Sequence, residues 1–177
     1  MDERAFFQEA WDAAAKRVAN GKHSKDSIRF FLEDGSTKRF DVPPMRDDAM
    51  KDEFVRLTVQ AIHNYPVQAI LLNYEAWFVD APPTVKAEDL NDYLDKNPRP
   101  QNHPQRREGV SFYYEKADGT IVTALAEIQT VKKGKRVLEP IRDVSHESKV
   151  ETRMSHFFQK AGRTPRRDIL DEILKPE

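Results

Sequence analysis

Residues 67–80, VQAILLNYEAWFVD, constrain the fold more than any other stretch of the chain. Successive side chains of a strand point to opposite faces. One face therefore carries Ile70, Leu72, Tyr74, Ala76 and Phe78, all apolar or aromatic. The other carries Val67, Ala69, Leu71, Asn73, Glu75 and Trp77, which begins apolar and turns polar at Asn73. A wholly apolar face belongs in a core. A second face that changes character midway reads as a central strand opening into a groove.

The flanking segments place this strand. Phe7, Ala10, Trp11, Ala14 and Val18 recur at helical spacing and predict a helix over 3–19, stopped at Asn20-Gly21. Residues 27–42 read as a hairpin turning at Asp34-Gly35, because glycine accepts the positive φ that such turns need. A second helix is expected from about 47 to 64, with Met50, Phe54, Leu57, Ala61 and Ile62 on its apolar face and Pro66 beyond its end. Residues 87–96 read as a short helix and 97–108 as an exposed, proline-rich connection. Strands at 108–115 and 120–131 turn at Asp118-Gly119, and an edge strand is expected at 136–141.

The strands cluster with short links, which predicts an α+β fold: a mainly antiparallel sheet of five to six strands with helices packed on one face. The expected organisation is a single domain over 1–143 and a helical C-terminal appendage over 144–177. The appendage carries two short amphipathic segments, Met154 to Ala161 and Ile169 to Leu174. It is expected to pack back on the domain or to dock on a protein partner or a second copy, with self-association the favoured outcome.

A chain of 177 residues is long enough for a hydrophobic core without staples. With no cysteine, it has no disulfide, thiolate metal site or cysteine nucleophile. The early acids of MDERAFFQEAW do not match a secretory leader, and no apolar run has the length of a spanning helix. A soluble cytoplasmic protein with no membrane partner is the expectation. Its net charge of -1 gives no global field toward nucleic acid. Local basic clusters, Lys132, Lys133, Lys135 and Arg136 on one turn and Arg163, Arg166 and Arg167 in the tail, leave phosphate contact open. With six glycines and no phosphate-cradling or nucleophile-elbow motif, no cofactor is expected.

EDGS in the first hairpin, NYEAWFV in the long strand and HPQRREGV leading into the next form a combination of their own. It resembles small uncharacterised bacterial and phage proteins with an E-A-W strand and a later H/D-P-x-R-x-E motif. The resemblance spans residues 27–141, with Glu75, Trp77, His103, Pro104, Arg107 and Glu108 on matching positions. It implies a compact α+β domain in a phage or mobile-element setting, and transfers no catalytic role.

The candidate site follows from Glu75. A carboxylate on a half-buried strand face needs a cation or hydrogen-bond donors. Arg106 or Arg107, at the start of the neighbouring strand, would serve, because a guanidinium grips a carboxylate with two bonds. Two readings stand side by side: a structural salt bridge near a sheet end, and a ligand groove built from Asn73, Glu75, Trp77, His103, Arg106, Arg107 and Glu108. The second makes the protein a non-enzymatic binding or regulatory module. The alternative is a metal-dependent, nuclease-like hydrolase with Glu75, Glu108 and Glu127 as ligands. The histidines show no zinc-ligand spacing, and His103 is the one expected near the groove.

Overall fold

A computed structural model of the chain describes residues 3–43, 45, 47–80, 82, 84–86, 89, 92–93, 96–97, 102–141, 143–145 and 155–162. In chain order its principal elements are α1 (Glu3–Ala19), β1 (Ser27–Leu32), β2 (Thr37–Asp41), α2 (Asp48–Asn64), β3 (Val67–Phe78), β4 (Arg107–Lys116), β5 (Ile121–Thr130), β6 (Arg136–Leu138), β7 (Asp143–Ser145) and α3 (Phe157–Lys160). The helices expected at 3–19 and 47–64, the hairpins and the long strand lie where the periodicities put them. The fold is α+β. Every strand pairing is antiparallel, in the order β2-β1-β3-β4-β5-β6, and β7 also lies along β5. Most of the short helix expected at 87–96 lies outside the described residues, although Asp92, Tyr93 and Lys96 are helical.

Turn chemistry sets the hairpins. Gly35 and Gly119 sit at φ 81° and 89°, where a side chain would be strained. In each turn the preceding aspartate accepts a backbone N–H two residues on, Asp34 from Ser36 and Asp118 from Thr120. Asp47 caps α2 by accepting the Met50 amide at 2.8 Å.

The sheet is covered on both faces, not on one. On one side Ala10, Ala14 and Val18 of α1 pack on Phe31, Leu71, Phe112, Ala124 and Ile128. On the other, Phe54, Val55, Val59 and Ile62 of α2 and Phe157 and Phe158 of α3 pack on Phe30, Ile70, Leu72 and Tyr113. The reason is that the even positions of β5, Val122 to Ile128, and the early odd positions of β3 are as apolar as the first face and need cover of their own. The buried stripe of α2 is also turned from the expected one: Met50 and Leu57 are exposed, while Val55, Thr58 and Val59 face the sheet.

The described parts of the segment expected as an appendage from residue 144 pack back on the body, through β7 on β5 and through α3 in the core. Phe157 and Phe158 are fully buried, with Phe157 meeting the rings of Phe54 and Tyr113 at 6.2 and 6.0 Å. Buried Glu115 fixes this segment. Its carboxylate accepts the Phe157 and Phe158 amides at 2.7 and 2.9 Å and the Tyr113 hydroxyl at 2.8 Å. That hydroxyl in turn accepts the His156 amide. Burial pushes the Glu115 carboxyl above its ordinary pKa, and the donors pull it back in part. The tail's second amphipathic segment and Arg163, Arg166 and Arg167 lie outside the described residues. No helix among the described residues is long and apolar enough to cross a membrane.

Glu115→Ala is expected to leave two buried amides without acceptors, at about 1–3 kcal/mol for each orphaned group. Urea denaturation should show the loss of stability, and hydrogen exchange should show Phe157 and Phe158 deprotected ahead of the sheet. Unchanged exchange at both amides would contradict the role given to Glu115.

Candidate functional site

The groove exists because β3 outruns β1. Pairing with β1 covers Val67 to Asn73, while β4 follows β3 to Phe78. From Tyr74 onward β3 has β4 as its strand partner, and its other edge is met by the segment joining α1 to β1. Three polar contacts stitch that segment and the start of β1 down. Ser27 Oγ donates to Asn73 Oδ1 at 2.8 Å, Asn73 Nδ2 donates to Lys25 O at 3.2 Å, and the Glu75 amide donates to Asp26 Oδ1 at 2.9 Å. What remains open is a groove of about 560 Å³ lined by, among others, Arg17, His23, Asp26, Glu75, Trp77 and Glu108.

Glu75 is the hub. Its Oε1 lies 2.9 Å from His23 Nδ1, and its Oε2 accepts the Ser24 amide at 2.6 Å. The Glu75 side chain is 13% exposed and that of His23 83%. Arg136 Nη2 reaches Glu108 Oε1 at 2.6 Å and Glu75 Oε1 at 3.4 Å. The Glu75 and Glu108 carboxylates stand side by side, with an oxygen of each within 4.8 Å of the other. Burial pushes Glu75 upward, but Glu108, His23 and the Ser24 amide together hold it below the ordinary carboxylate range. Glu108 is raised, by burial first and by Glu75 second, with Arg136 opposing. Asp26 is raised as well, chiefly by burial, with the charge of Glu75 adding to it and the Glu75 amide opposing.

Of the sequence-predicted site residues, the fold brings Glu75, Trp77 and Glu108 together, and Arg106 stands over the Trp77 ring with its guanidinium carbon 4.7 Å from the centroid. Asn73 is buried and structural, at the closed end. Arg107 does not meet Glu75. Trp77 pairs with Glu108 and Phe78 with Arg107, so the pleat sends Arg107 to the opposite face. There it stacks on Phe78 and bonds Asp80 and Glu127. Glu127 is cross-strand from Gly109 on that same opposite face, so the set Glu75, Glu108 and Glu127 does not converge. His103 holds its own turn, with Nδ1 accepting the Gln105 amide at 3.1 Å. Its place is taken by His23, which sequence spacing did not single out. Arg136, one of the basic cluster on the turn after β5, turns inward, whereas Lys133 and Lys135 stay exposed.

No family model, curated protein or solved structure matches the chain.

The opposite shifts of the two carboxyls set opposite pH dependences. A depressed pKa stabilises the fold above the ordinary carboxylate value and loses that contribution as pH falls through the depressed value. A raised one contributes in acid and loses its contribution as pH rises through the raised value. Glu75→Gln should therefore melt below the wild type at neutral pH, and Glu108→Gln at or above it. Both differences should fade in acid. Thermal denaturation across pH checks this, and an equal loss for the two variants at neutral pH would contradict it.

Proposed function

We propose that the protein is a binding module that captures a positively charged group in the groove beside β3 and performs no chemistry of its own. The observation that carries this reading is an imbalance of charge: Asp26, Glu75 and Glu108 all line one groove, and among the described residues Arg136 alone bridges two of them. The other cations of the lining are engaged elsewhere. Arg17 Nε donates to His23 O at 3.0 Å, and Lys25 pairs with Asp41. A positive ligand would meet a carboxylate below and an aromatic face beside it, since Trp77 is 44% exposed. Arg106 over that ring illustrates the stacking. The hydrolase reading has less support, because its third ligand, Glu127, faces the other side of the sheet.

Titration with arginine amide, followed by Trp77 fluorescence, tests the reading; Trp77→Phe controls for Trp11. Saturable binding is expected for the wild type, with affinity lowered about tenfold or more in Glu75→Gln, the scale of one charge-assisted hydrogen bond. The uncharged analogue citrulline amide should not bind. An equal response to both amides, or none to either, would sink the proposal.

A further inference from the structure

We infer that the group captured in the groove is a divalent metal ion, held by His23 Nδ1 and the carboxylates of Glu75 and Glu108. The inference rests on the cation-capture reading and narrows it to a ligand. Three observations carry it. First, one atom from each of the three side chains lies within 4.8 Å of the others. Metal–ligand bonds of about 2.0–2.2 Å put neighbouring donors roughly 3–3.5 Å apart, so closing the set takes a movement of about one ångström. His23 can make that movement, because its ring is exposed and sits on the segment between α1 and β1. Glu75 needs no rearrangement, as the Ser24 amide already orients its carboxylate.

Second, Ser24 lines the same groove and is only 6% exposed, yet its hydroxyl has no hydrogen-bond partner among the described residues. A buried hydroxyl left unpaired is costly, and one beside a carboxylate pair is a ready partner for a water carried by an ion. Third, Arg136 places a positive group against both carboxylates at once. It marks the point where a cation is held and would compete with a metal for it. One imidazole nitrogen with two carboxylate oxygens is a donor set for zinc or manganese and not for magnesium, which prefers oxygen alone.

The test is calorimetric titration of the EDTA-stripped full chain with ZnCl2, MnCl2 and MgCl2, with the arginine amide titration run in parallel. One-to-one binding of zinc or manganese is expected. Affinity should fall at least about tenfold in His23→Ala and in Glu108→Gln, the lower bound set by supporting-shell substitutions at metal sites. Arg136→Gln should bind the metal more tightly, because it removes the competitor. His23 lies in an exposed segment and its replacement leaves the core intact, so circular dichroism should show a folded variant. Metal binding that survives His23→Ala, or a preference for magnesium, overturns the inference. If no metal binds while arginine amide still does, the metal assignment fails and cation capture stands. If neither binds, both fail.

Discussion

The structure depends on one strand serving two cores. Over its first half β3 presents Ile70 and Leu72 to α2 and α3, and Ala69 and Leu71 to α1, each buried to within 1% of full burial. Burying each of the larger side chains is worth about 1.5–3 kcal/mol relative to exposure. That fixes the register, since a slip by one residue would exchange the two faces and drive Asn73 and Glu75 against α2. The same register dictates where the groove lies. Beyond Asn73 the strand continues along β4 after β1 has ended, and its odd positions are left to the polar segment from His23 to Asp26.

Two acidic sites on this sheet show how context decides the role of a buried acid. Glu115 meets the two amides of α3 and the Tyr113 hydroxyl, all protein donors in direct contact, and so acts as a lock. Glu75 has the Ser24 amide and His23, but it also stands beside Glu108, and the two divide one guanidinium at unequal distances. Carboxyl groups arranged that way relieve their repulsion by protonation or by taking up a cation. Burial and the neighbouring Glu75 raise the Glu108 carboxyl, and uptake of a cation is the proposed function.

What was legible in the sequence was local. The Asp-Gly turns, the stop at Asn20-Gly21 and the change of character at Asn73 depend on neighbours a few residues apart, and all appear in the fold. The sidedness of α2 was not legible, because its apolar residues permit two overlapping stripes and the sheet selects the one containing Val55 and Val59. The choice between Arg106 and Arg107 turned on parity alone: one residue separates a guanidinium over Trp77 from one over Phe78 on the other face. His23 and Arg136 reach Glu75 across 52 and 61 residues of chain, and no spacing rule connects them. Asp26 and Ser24 carry no periodic signal. They enter the site because β1 starts at Ser27.

Ligand capture is proposed for the open end of β3 and not for the apolar hollow of about 300 Å³ between β2 and α2, which Phe40 and Tyr65 line. The most direct test is a map of backbone amide shifts in ¹H–¹⁵N spectra of the full chain during titration with arginine amide. The predicted result is a set of saturating shifts concentrated at His23, Ser24, Asp26, Ala76 and Trp77, with Phe40 and Tyr65 unmoved. Shifts centred on Phe40 and Tyr65, or a spectrum that does not change, would contradict it.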